Sequence, residues 1–277
     1  MNRLAGWRGP AFVLALSALA FFVAFPFAWM VGTALKPSHE IFATPPTLIP
    51  STVTLANVVR LFADTRFATY MVNSVLVASA TVCLTLAIAA PGAYGLTRFR
   101  FRGREAIAGT ILFTYMFAPI MIIIPFYVMM RAFGLANTHV GLVLAYTGLC
   151  LPFALWLLRT FFQSIPLELE EAAFIDGASR VQAVRYVLLP LARPGLVATG
   201  TFTFILAWND YIFARILLSA DELKTLPIGI ADLYNASVVD WGMIMSAGTL
   251  VLVPVLIVFL VIEKYLVAGW GAGGVKG

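Results

Sequence analysis

Long apolar runs without acids, lysines or arginines constrain this chain more than any other feature. Gly9–Leu35, Phe67–Thr97, Ala106–Met130 and Ala132–Leu158 are four such runs, the last broken only by His139. Pro194–Asn209 is a shorter fifth and Trp241–Ile262 a sixth. About 20 apolar residues in helical form cross the hydrocarbon core of a bilayer. Of the 277 residues, 61% are hydrophobic and 11% charged, whereas soluble domains carry about 25% charged residues. The reading is an all-α integral membrane chain with six spans, near 10–34, 69–97, 106–130, 140–160, 194–218 and 242–264, in one transmembrane domain covering 1–277. The fifth is read as continuing past Asp210 to about Leu218.

Six spans put both termini on one side. Cationic residues favour the cytoplasmic loops. With the N-terminus inside, inner segments hold 12 Lys and Arg and outer segments 6, so both termini are assigned to the cytoplasm. The apolar run after Arg3 and Arg8 continues well past Ala18-Leu19-Ala20, further than a signal peptide's core, and is read as an uncleaved first span. The pI near 9.4 follows from loop cations that meet anionic lipid. Short clusters beside spans are not the basic stripe of a nucleic-acid-binding domain. Cys83 and Cys150 fall inside spans and define no disulfide framework. His39 and His139 have no partner at metal-ligand spacing.

In the first outer segment, Leu55, Val58, Val59 and Phe62 recur at helical spacing. They predict a short amphipathic helix with Thr54 as a candidate cap. "RFRFRGRE", Arg98–Glu105, reads as a tight inner connection anchored by cations and aromatics. The outer segment Ser219–Asp240 carries five charged residues and either re-enters the membrane or forms a solvated loop.

Glu170–Pro190, within the cytoplasmic loop 165–193, is the polar exception: "EEAAFIDGASRVQAVRYVLLP". Pro166 suits a first helical turn. Glu168, Glu170 and Glu171 follow where the helix dipole favours acids. Gly177 ends the helix in the left-handed conformation, and Ser179 with Gln182 spells a capping box for a second helix. The unit is either an interfacial loop on the headgroups or a knob for a cytoplasmic partner. Further along, "AWNDYIFA" puts Asn209, Asp210 and Tyr211 about 22 Å along the fifth helix at 1.5 Å per residue. Two readings are equal here: an aromatic interface belt, or groups lining the outer part of a transport path.

Glu171-Ala172-Ala173, Gly177 and Leu189-Pro190 resemble the EAA motif of permease subunits of ABC importers, with Val187 where isoleucine is usual. "NSVLVA" (Asn73–Ala78), "AYGLTRFRFRGR" (Ala93–Arg104), "AWNDYIFA" and the tail "AGGVKG" (Ala272–Gly277) narrow the resemblance to the maltose-type sugar permeases. The resemblance implies the type I importer permease fold, and makes the loop a coupling helix seated in an ATPase cleft. Glu170, Glu171, Ala172, Ala173, Asp176, Gly177, Leu189 and Pro190 would serve that coupling, with Glu171 carrying the acidic contact. Gly273, Gly274 and Lys276 would touch the ATPase from the tail. Implied partners are a second homologous permease, two cytoplasmic ATPase subunits, an extracytoplasmic solute-binding protein and membrane lipid, all at the inner membrane.

No GxxxxGK[ST] phosphate loop occurs in the sequence, so ATP and Mg²⁺ are expected on the ATPase chains and no cofactor or metal on this one. The expected function is import of a sugar or sugar-like solute by alternating access, without bond chemistry. A non-sugar ABC importer and an ion-coupled carrier are the rival readings. The second is disfavoured because spans one to four hold no ionisable group of the kind such carriers place at mid-span.

Overall fold

A computed structural model describes residues 5–116 and 119–273. It is all-helical, with no strand among the described residues. In chain order the helices are α1 (Ala5–Ala34), α2 (Ala56–Asp64), α3 (Phe67–Arg98), α4 (Arg104–Thr114), α5 (Pro119–Ala132), α6 (His139–Ser164), α7 (Glu168–Ile175), α8 (Arg180–Ala183), α9 (Leu189–Leu191), α10 (Arg193–Asn209), α11 (Ile212–Leu217), α12 (Leu226–Tyr234) and α13 (Trp241–Gly273). A π-helical turn, Val184–Leu188, joins α8 to α9. Among the described residues four helices are long and apolar enough to cross a membrane, α1 over Phe12–Ala34, α3, α6, and α13 over Trp241–Leu260, or up to six if each of two bent helix pairs is one span. Proline lies inside α3 (Pro91), α6 (Pro152) and α13 (Pro254).

The third and fifth spans differ from the sequence reading, which made each continuous. In the third, α4 ends at Thr114, and Pro119 is the first described residue of α5. The fifth is interrupted at Asp210. That residue takes an extended conformation (φ −71°, ψ 128°) after Asn209. Its carboxylate then accepts the backbone N–H groups of Phe213 and Ala214 at 3.0 and 3.2 Å, starting α11 as a fresh helix.

By packing, the chain divides into two compact units: residues to 68 with 229–254, and residues 69–228 with the chain from 255 onward. In the first, the short amphipathic helix expected from the spacing of Leu55, Val58, Val59 and Phe62 forms as α2. Leu55, Val59 and Phe62 are exposed, while Asn57 and Leu61 are buried. Asn57 turns inward to the carbonyls of Ala34, the last residue of α1, and Lys36, just beyond it; its amide reaches them at 2.9 and 2.8 Å. Thr54 accepts the N–H of Ala56 at 3.1 Å, one residue earlier than a standard cap.

The second unit holds the polar loop. Its core near the loop is Ala89, Ala93 and Tyr94 from α3, Ala154, Leu155, Leu158 and Phe162 from α6, and Leu188 and Ala192 from the loop's return arm. Small residues let these backbones approach closely, as expected where helices cannot gain hydrophobic energy from one another in lipid. Gly195 is such a contact: a Cβ there would lie 2.5 Å from the Phe161 ring.

Candidate functional site

The chain leaves α6 at Ser164 through an extended Ile165 (φ −90°, ψ 122°). Pro166 falls just outside the helix, and α7 begins at Glu168. Gly177 closes α7 at φ +86°, with the N–H of Ala178 bonded to the Ala173 carbonyl at 2.9 Å, a left-handed helix end. The Ser179–Gln182 capping box is formed in both directions. Beyond α9 the backbone breaks at Ala192, where the return arm Arg180–Leu191 and α10 meet at 75°. Pro190 and Pro194 flank that break.

The resulting projection exposes Glu171, Ala172, Asp176 and Gly177, with Ala173, Leu189 and Pro190 half-buried. Among the described residues Glu171 has no ion-pair partner. The projection is also more apolar at its surface than its acids suggest. Ile175 is 87% exposed and Val181 76%, with Leu169 and Phe174 exposed beside them. Glu170 departs from the outward role given to it in the sequence. It is 1% exposed, and its carboxylate accepts Arg98 Nε at 2.6 Å and the Tyr94 hydroxyl at 3.2 Å. The cause is chain geometry: consecutive helical residues point about 100° apart, so Glu170 and Glu171 cannot share a face.

Near the other end of α10, a cavity of about 700 Å³ is lined by Asn209 and Asp210 together with Tyr115, Phe202 and Phe213. Tyr211, grouped with these acceptors in the sequence, is exposed and is not part of the lining. Asp210 spends one oxygen on Phe213, Ala214 and the Tyr146 hydroxyl (2.9 Å), and the Asn209 amide bonds back to the Ile205 carbonyl at 2.8 Å. Nearby, the segment after α11 is fastened by side chains of α3: Asn73 donates to the carbonyls of Glu222 and Lys224 at 2.8 and 2.9 Å, and Tyr70 donates to Asp221 at 3.0 Å. His139 Nε2 lies 2.9 Å from the Leu223 carbonyl. This part of the Ser219–Asp240 segment is held against helices rather than being a plain solvated loop.

Of the tail residues singled out in the sequence, Gly273 is the last described residue and lies in α13, and Gly274 and Lys276 lie outside the described residues. Sequence reasoning missed Tyr94, Arg98 and Tyr146. The first two sit four residues apart at the C-terminal end of α3, so a shared face was legible, but their acceptor, 72 residues from Arg98, was not.

Residues 85–271 match the family described as binding-protein-dependent transport system inner membrane component. Similar proteins include the trehalose/maltose transport system permease protein MalG of Thermococcus litoralis, 33% identical over 94% of each chain. Another is the diacetylchitobiose uptake system permease protein DasC of Streptomyces coelicolor, 35% identical over 95% of this chain and 96% of that one. Among solved structures, a chain of a bacterial ABC transporter involved in the import of the acidic polysaccharide alginate superposes with a TM-score of 0.83. It is 27% identical, covering 96% of this chain and 98% of that one.

Proposed function

This chain belongs to the binding-protein-dependent transport system inner membrane components, and from that premise we propose how it works. It is a membrane-embedded permease subunit that moves a sugar or sugar-like solute inward. The trehalose, maltose, chitobiose and alginate systems that it resembles support that solute class. A second permease of the same kind completes the pathway, two cytoplasmic ATPase chains bind ATP and Mg²⁺, and an extracytoplasmic binding protein delivers the solute. Closure of the ATPases on ATP displaces the loop 165–193, and the spans switch between outward and inward access. This chain itself binds no nucleotide.

The observation that carries the reading is the α7–Gly177–α8 projection, with an unpaired Glu171 and exposed Ile175 and Val181. A membrane chain that spends a capping box and a left-handed glycine on a short helix with an apolar face has built a docking surface. Glu171 pairs with a cation in the ATPase cleft, Ala172 and Ala173 permit close backbone approach, Asp176 borders the contact, and Leu189 and Pro190 set the return. Gly273, Gly274 and Lys276 enter the same interface from the tail. Asn209 and Asp210 border the solute path.

Glu171→Lys and Glu171→Ala, compared at equal membrane abundance, test this by co-purification of the ATPase and by solute uptake. A pair desolvated on docking costs about 3–5 kcal/mol when one partner is lost, against under about 1 kcal/mol for a solvated pair. Lysine is expected to be worse than alanine, because it adds repulsion. Wild-type ATPase retention and uptake in Glu171→Lys would overturn the docking role.

A further inference from the structure

Glu170 neighbours the acid assigned to docking but is held inside the chain. Its carboxylate accepts Arg98 Nε at 2.6 Å and the Tyr94 hydroxyl at 3.2 Å, and a second nitrogen of Arg98 donates to the Ile165 carbonyl at 3.0 Å. The two side chains of the ion pair are 9% and 1% exposed. Tyr94 and Arg98 lie one turn apart on the same face of α3, at its last turn. Across the Gly177 turn, the Arg180 guanidinium lies 4.8 Å from the centroid of the Phe99 ring, and Phe99 stands edge-on to Tyr94 at 5.8 Å. Both arms of the loop therefore grip the inner end of one helix.

We propose that the Glu170–Arg98 pair is a positioning clamp that carries displacement of the loop into α3. The inference rests on the reading of the loop as a docking element. Its physical basis is the contrast between the loop's covalent and non-covalent attachments. Along the chain, the loop joins α6 through the extended Ile165 and joins α10 through the 75° break at Ala192. Both joints are non-helical and can absorb a push. The clamp bypasses them and ends on a continuous helix of 32 residues. A charge-assisted bond between side chains so nearly buried has a fixed geometry, and neither charge can leave its partner without being stranded. α3 thus follows the loop.

Glu170→Gln keeps the shape and the Tyr94 bond but removes the charge. In the assembled transporter in proteoliposomes, it is expected to retain the ATPase chains and binding-protein-stimulated hydrolysis while solute moved per ATP falls about tenfold. An unchanged ratio overturns the clamp. So does loss of the ATPase at equal permease abundance, which would make Glu170 a docking residue instead. If the Glu170→Gln permease itself does not accumulate in the membrane, the pair Arg98→Cys and Glu170→Cys, with Cys83 and Cys150 replaced by alanine, is joined by a short bifunctional thiol reagent. Cross-linking is expected to restore uptake per ATP. Hydrolysis without uptake in the cross-linked complex would show that the pair must open, and overturns the proposal. Retention of the ATPase by Glu171→Lys would instead defeat the docking reading, so the two failures are separable.

Discussion

The Glu40 carboxylate is held by its own loop. It accepts the Thr47 hydroxyl at 2.8 Å, the Ser51 N–H at 3.1 Å and the Ser51 hydroxyl at 3.0 Å. The Thr47 bond is the main cause that holds its pKa below the usual carboxylate value; burial opposes this, and Ser51 and nearby Lys36 add to it. A depressed pKa means that the loop gains from the ionised form above the unfolded-state value and loses this as pH falls through the folded one. Amide-exchange protection of Lys36–Thr54 is therefore expected to fall as pH drops below the ordinary carboxylate range, and in Glu40→Gln to be low and flat through the same titration. Equal profiles in the two proteins would exclude the mechanism. In the same unit Gly242 is fixed by a close approach. A Cβ there would sit 2.5 Å from Asn57 Oδ1. Asn57 cannot retreat, because its amide holds two carbonyls and its oxygen takes Arg60 at 2.8 Å, with Arg60 in turn 2.6 Å from Asp240. Gly242→Ala is expected to destabilise by about 1–3 kcal/mol, in line with other overpacked sites, read as a lower Tm in detergent. Asn57→Ala combined with it should cost less than the sum of the two singles, since the clash goes with the side chain.

At the scale of elements, the turn at Gly177 separates conformation from packing. Nothing lies within 4 Å of a Cβ built there, yet φ is +86°, so substitution acts through the backbone alone. The left-handed conformation costs L-residues roughly 1–2 kcal/mol, and asparagine adopts it more readily than β-branched residues. α7 has eight residues, too few to persist without its ends fixed. Gly177→Val is expected to abolish ATPase co-purification and uptake, and Gly177→Asn to retain much of both, with equal membrane abundance because no span is touched. Equal behaviour of the two would remove the turn from the docking account. The Gly177 turn and the Ser179–Gln182 box were legible in the sequence because each is settled within four residues. The inner facing of Glu170 was not, since it depends on α3 across 72 residues. α2 was legible as an amphipathic helix from the period of Leu55, Val58, Val59 and Phe62, but the inward turn of Asn57 was not, because it depends on carbonyls 23 and 21 residues away. At Asp210, the same carboxylate that looked like a candidate path residue ends one helix and begins the next. Local competition of this kind between side chain and backbone is invisible to a hydropathy run.

For the whole molecule, the apolar runs specified an all-helical membrane chain because lipid leaves the backbone no partner but itself. They did not specify where spans break, since breaks are made by single prolines and caps. Orientation is the remaining large-scale inference, and it rests on the 12 to 6 division of cations between the two sets of loops. Two positions test it. Gly103 lies in the Arg98–Glu105 connection, at φ +86° with open space around a built Cβ, and Ser237 is exposed in the turn between α12 and α13. Cys83 is exposed and Cys150 buried, so both must first be replaced by alanine. Single cysteines at 103 and 237 are then labelled with a membrane-impermeant maleimide in intact spheroplasts and in inverted vesicles. The 237 variant should react only in spheroplasts and the 103 variant only in inverted vesicles. Six spans require the two positions to lie on opposite faces, whatever the absolute orientation. The cation bias adds which face is which. Labelling of both from the same side would refute the span count. The reverse pattern would keep the count, but it would put Glu171 and its loop outside the cell, where no ATPase could meet them.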